Sequence, residues 1–87
     1  MLERVISLKP LGSARLLFTF HDGNEYVVDL TEVAQQGKLG LALLDDNFLA
    51  KASIMDEGTH VEWPNGLDLA ADSLFLRAVA VGTGMRP

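Results

Sequence analysis

The chain has 87 residues, 48% hydrophobic and 22% charged, enough for one folded core and too few for two. Its net charge of −5, with seven scattered basic residues (Arg4, Lys9, Arg15, Lys38, Lys51, Arg77, Arg86), argues against direct nucleic-acid binding, which depends on cations neutralising phosphates. The absence of cysteine excludes a disulfide framework, a thiol nucleophile and a thiolate metal site.

Residues 3–9 contain β-branched side chains in partial alternation, which predicts a strand with Ile6 and Leu8 on one face, ended by Pro10 and Gly12. Residues 15–20 alternate with Leu16, Phe18 and Phe20 facing one way, and residues 25–30 repeat this with Tyr26, Val28 and Leu30. Between them, Asp22-Gly23 predicts a hairpin. A two-residue loop would pair Phe20 with Glu25 and set apolar residues against acidic ones. A three-residue loop, Asp22-Gly23-Asn24, pairs Phe20 with Tyr26, Phe18 with Val28 and Leu16 with Leu30, and burial favours it. Asn24 is then the left-handed residue, with His21 facing Glu25.

Thr31 is a suitable N-cap for a short helix over residues 32–36, stopped by Gly37. Residues 38–52 read as one or two short helices with Leu39, Leu41, Leu43, Leu44, Phe48 and Leu49 as their apolar surface, and Asp45 or Asp46 caps the second piece. Ser53-Ile54-Met55 is a strand and Asp56-Glu57-Gly58 a turn. Residues 59–63 form a strand with Val61 and Trp63 inward and His60 and Glu62 toward solvent. A last helix spans residues 70–80, where Leu74, Leu76, Ala78 and Val79 cover more than one face. The fold class is α+β: a small antiparallel sheet, made of an N-terminal three-stranded meander plus a later strand pair, with helices packed on it. Residues 1–80 form a single domain and residues 81–87 a frayed tail. No apolar run reaches the ~20 residues that cross a bilayer. Met1-Leu2-Glu3-Arg4 begins no signal peptide, so a cytoplasmic, bacterial-type protein is expected.

One group of pieces carries a family resemblance. Lys9-Pro10 ends the first strand, Leu16 to Phe20 leads into Asp22-Gly23, and Val28-Asp29-Leu30 follows. Then come Asp46 and Phe48 in a Leu-rich middle, and Trp63-Pro64-Asn65-Gly66 ahead of Asp68 and a closing helix. Over residues 3–80 the chain resembles the bacterial family called domain of unknown function 2442. The resemblance implies a small α+β fold with helices over an antiparallel sheet, and it brings no known activity. Some family members carry an added helix-turn-helix domain, which is not expected here because the chain ends soon after the domain. Many are encoded beside another small protein, an arrangement like that of toxin–antitoxin pairs. One departure is Ala70-Ala71-Asp72, where the family often has a Ser-Pro-Glu-like lead-in to the last helix. Alanine cannot cap, at a cost of ~1 kcal/mol, so Asp68 is expected to cap instead.

The candidate binding residues are Trp63, Asn65 and Asp68. A Trp beside a rigid turn offers an apolar face with a polar N–H, as recognition sites do. The competing reading leads: Pro64 presets the turn, Asn65 or Gly66 takes the unusual conformation, and Trp63 fills the core. His21 and His60, with Asp22, Glu25, Asp29, Glu62 and Asp68, lack any metal-ligand spacing, so they read as solvated charge and no metal or cofactor is expected. Ser7, Ser13, Ser53 and Ser73 stand in no nucleophile motif, Gly82-Thr83-Gly84 is too short to cradle a phosphate, and no catalytic residue is assigned. The expected function is therefore a non-enzymatic interaction module that binds a protein partner, antitoxin-like, or itself as a dimer. The alternative is a small-ligand or metal-binding protein, conceivably an enzyme, using the Trp-Pro-Asn-Gly turn.

Overall fold

Two short antiparallel sheets share one apolar core in the computed structural model, which describes residues 3–80. The first sheet holds β1 (Val5–Gly12), β2 (Arg15–Phe20), β3 (Glu25–Asp29) and β7 (Ala78–Ala80), in the order β1-β2-β3-β7. The second holds β4 (Ser53–Met55), β5 (His60–Glu62) and β6 (Asp68–Ala70) in sequence order. Between the sheets in sequence lie α1 (Thr31–Ala34), α2 (Lys38–Leu41), a 3-10 turn at Ala42–Leu44 and α3 (Asp46–Leu49). The last helix, α4 (Ala71–Leu76), connects β6 to β7. This is the expected α+β architecture, divided into two sheets where a single one was expected: β7 extends the meander and β6 the later strand pair. The tail expected at residues 81–87 lies outside the described residues.

Alternation decides what is buried. Leu16, Phe18 and Phe20 of β2 and Val28 of β3 are fully buried, and Leu43, Leu49, Val61 and Leu74 close over them from the helices and the second sheet. Phe20, Tyr26 and Phe75 form an edge-to-face trio with ring centroids 5.1–5.4 Å apart, which seats α4 on the first sheet.

The first hairpin keeps the expected faces and slips in register by two residues. Phe18 pairs with Tyr26 and Leu16 with Val28, rather than Phe20 with Tyr26 and Phe18 with Val28. The loop is His21-Asp22-Gly23, and the left-handed residue is Gly23 (φ 82°), not Asn24. Glycine enters that region without the steric cost that even asparagine bears, which settles the slip. The Asp22 carboxylate accepts the Asn24 N–H at 2.8 Å, and His21 reaches Glu3 (Nε2 to Oε1, 3.0 Å) rather than Glu25.

β1 also departs from expectation. It runs through Pro10, which pairs with Leu16, because an edge strand tolerates a residue without an N–H. A register shift between Val5 and Ser7 turns Val5 into the core and leaves Ile6 61% exposed, off the face of Leu8.

At the C-terminal end, the expected helix over residues 70–80 stops at Leu76. Residues Ala78–Ala80 instead pair with Tyr26, Val27 and Val28 as β7. Pairing as β7 also satisfies backbone groups along the open edge of β3, which a further turn of helix would leave without a strand partner. Asp68 belongs to β6 and caps nothing: Ala70 precedes α4 with no side-chain cap. The Asp72 carboxylate accepts the Glu3 N–H instead, at 2.6 Å. Thr31 is likewise not a cap. It opens α1, and its N–H and hydroxyl both donate to Asp29 Oδ1, at 2.8 and 2.6 Å. Asp45 does cap α3, accepting from Asn47 N and Phe48 N.

Hydrogen bonds hold two of these carboxylates below their ordinary pKa: the Tyr26 hydroxyl and Asn24 N–H act on Asp22, and the Thr31 hydroxyl and N–H act on Asp29. A pKa depressed by folding means that the unfolded chain binds the proton more tightly. The stabilisation is therefore whole above the unfolded value near ~3.9 and disappears as pH falls through the lower folded value. Thermal melts between about pH 6 and about pH 3 are expected to show a Tm that drops on acidification, with a flatter profile for Asp22→Asn/Asp29→Asn.

Candidate functional site

The Trp-Pro-Asn-Gly turn is the loop of the β5–β6 hairpin, and it repeats the chemistry of the first. Gly66 N donates to Trp63 O at 3.0 Å, Trp63 N to Leu67 O at 2.8 Å, and Gly66 is left-handed (φ 94°). Asn65 Oδ1 accepts the Leu67 N–H at 3.0 Å, as Asp22 accepts that of Asn24. Both hairpins therefore use a three-residue loop with a left-handed glycine last, braced by an Asx side chain just before it.

Trp63 is 2% exposed and points into the core, its Nε1 donating to the Leu49 carbonyl at 3.2 Å. That bond satisfies a carbonyl at the C-terminal end of α3. Asn65 Nδ2 donates to the Leu39 carbonyl of α2 at 3.0 Å. Asp68 pairs with Glu62 across the hairpin, on the face opposite Trp63. The structure thus brings Trp63 and Asn65 together as a bracket that fastens α2 and α3, and it sends Asp68 elsewhere. Asp46 plays a similar part on the other side of α3, accepting the Ser13 N–H of the β1–β2 turn at 3.1 Å.

Two other surfaces have the makings of a site. The first surrounds Gly37-Lys38. Leu39, Leu41 and Leu44 are 48%, 57% and 52% exposed, although their neighbours Leu43 and Leu49 are fully buried. An open groove of about 310 Å³ runs beside Leu39, floored by Val33, Leu67 and Leu69. A second of about 420 Å³ runs beside Leu41 and Leu44, with Ala34 and Gln35 along it. Gly37 and Lys38 border both grooves.

The second surface is the outer face of the small sheet, where His60, Glu62 and Asp68 each present a ligand-type atom, all within 4.8 Å of one another. His60 Nε2 lies 3.9 Å from Asp68 Oδ1, and its Nδ1 lies 3.4 Å from Asp56 Oδ2. His60 and Glu62 share a face by strand alternation, as expected, and the Pro64-Asn65-Gly66 loop sets Asp68 opposite Glu62. The sequence carried that signal: a three-residue loop, once assigned to this hairpin, fixes the 62–68 pair. His21, the other histidine, sits in the first hairpin loop against Glu3.

A family model described as protein of unknown function (DUF2442) matches residues 5–80. The chain belongs to that family. No curated protein and no solved structure gives a significant match. In this DUF2442 member, the motif residues Asp22, Asp29, Asp46, Trp63 and Asn65 all have work inside the fold: each makes a side-chain hydrogen bond that fixes a turn or a helix. Among the described residues, no helix is long and apolar enough to cross a membrane.

Proposed function

We propose that this protein is a non-enzymatic interaction module of the bacterial cytoplasm, binding a partner protein through the leucine surface around Gly37-Lys38. The observation that carries the reading is the exposure of Leu39, Leu41 and Leu44 beside two open grooves. Single exposed leucines are ordinary, but several beside apolar grooves mark an interaction surface. The net charge of −5 suits a small basic partner, as in an antitoxin-like pair, and speeds its association more than it tightens binding. The reading built on the Trp-Pro-Asn-Gly turn has less behind it, since Trp63 faces the core and both ends of the Asn65 amide are occupied.

The test is copurification of the tagged full chain from its host, with a sedimentation series for self-association. Leu41→Asp/Leu44→Asp is expected to lose the partner or the dimer. Its stability should change by no more than about 1 kcal/mol, since both side chains are already in water. Retention of the same partner by this variant would contradict the reading. So would a wild-type protein that stays monomeric and holds no partner.

A further inference from the structure

We propose that the outer face of the small sheet is a binding site for a divalent first-row transition cation of the zinc type, with His60, Glu62 and Asp68 as ligands and Asp56 as the residue that orients the histidine. Glu62 and Asp68 are cross-strand partners, so two carboxylates stand side by side, an arrangement that destabilises a sheet unless a cation lies between them. Among the described residues, no lysine or arginine forms an ion pair with either one; the basic pairings are Arg4 with Glu57 and Arg77 with Glu32. The group facing them is His60, whose imidazole is a common metal ligand.

The donor set then indicates the ion. One imidazole and two carboxylates give a net charge of −2, matched to a divalent cation. The imidazole favours zinc and its neighbours over calcium or magnesium, which take oxygen ligands. Three protein ligands are a common zinc complement, with water completing the shell. The geometry is close to what is needed. Ligand atoms around zinc lie about 3.3 Å apart at bond lengths of about 2.0–2.1 Å. The three groups here lie within 4.8 Å of one another, a spacing that changes of side-chain torsion act to shorten. His60 is already oriented for it: Asp56 Oδ2 stands 3.4 Å from Nδ1, which leaves Nε2 to face Asp68. A carboxylate behind a ligating histidine fixes its tautomer and raises its basicity. The site is also open, with the side chains of His60 and Asp68 21% and 49% exposed. It lies on the opposite face of β6 from Leu69, which floors one leucine groove, and neither reading depends on the other.

Titration of the full chain with zinc chloride alone, followed by calorimetry and thermal melting, is expected to show one equivalent bound and a raised Tm. His60→Gln and Asp68→Asn should each weaken binding by about tenfold or more, and Asp56→Asn by about tenfold through the imidazole it orients. His21→Gln should bind as the wild type does. Glu62→Gln offers a separate check on folding. By removing the like-charge pair, it should hold or raise the Tm of the metal-free protein while cancelling the rise that zinc produces. Absence of zinc binding by the wild type would overturn the site, as would an unchanged isotherm in both His60→Gln and Asp68→Asn, or loss of binding in His21→Gln.

Discussion

Gly58→Ala is expected to lower the free energy of unfolding by about 3–5 kcal/mol. Gly58 closes the turn Asp56–Gly58 at φ +91°, buried against β1. A Cβ there would stand 2.3 Å from the Val5 carbonyl oxygen and 3.0 Å from the Val5 nitrogen. Both contacts are backbone, so no rotamer change relieves them and β1 itself must move. The left-handed φ adds the penalty that an L side chain meets in that region, about 1–2 kcal/mol. Domains of this size have roughly 0.05–0.15 kcal/mol of stability per residue, so the loss is a large share of the total. Urea denaturation of the purified variant measures it directly, as a lower midpoint with an unchanged slope. A midpoint within error of the wild type would mean that β1 and the 56–58 turn are not held in this contact.

Trp63→Ala is expected to cost about 3–5 kcal/mol, through the lost transfer of the indole and the cavity left behind it. Trp63→Phe keeps most of the volume and loses the bond to the Leu49 carbonyl, for about 1–2 kcal/mol. These numbers separate two roles for the residue that most distinguishes the sequence. A tryptophan kept for recognition at an exposed turn could be removed at little cost in stability. One that locks α3 to the second sheet could not. Fluorescence gives an independent measure, because Trp63 is the only tryptophan. Its emission should be blue-shifted and resistant to acrylamide quenching in the folded protein, and should become quenchable with unfolding.

The parts of the fold that could be read in the sequence are those written in period two and in glycine. Leu16-Leu17-Phe18-Thr19-Phe20 and Tyr26-Val27-Val28 announce their faces, and all of Leu16, Phe18, Phe20 and Val28 are buried. The register was harder, since faces repeat every second residue and a slip of two preserves every burial. Only the conformation of Gly23 against Asn24 distinguishes the two pairings. β7 could not be read locally. Leu76-Arg77-Ala78-Val79 continues a helical pattern, and what stops it is the open edge of β3, more than about fifty residues earlier. The same holds for two stretches that are left-handed throughout, Gly12-Ser13-Ala14 and Asp56-Glu57-Gly58. Nothing in Ser-Ala or Asp-Glu asks for that conformation, which long-range contacts impose: Ala14 is fully buried and its carbonyl accepts the Leu30 N–H at 2.8 Å. Around the candidate sites, residue type pointed to Trp63 and Asn65, and those side chains turned inward. The His60, Glu62 and Asp68 group came into view only with the register of the second hairpin.

On the proposed function, this fold presents leucines, and not its tryptophan turn, to another protein. Hydrogen–deuterium exchange across the full chain, alone and in its purified complex or dimer, tests it most directly. The expected result is new protection over residues 37–46, with residues 63–68 already protected in the free protein and unchanged by binding. New protection confined to residues 63–68, with none over 37–46, would contradict it.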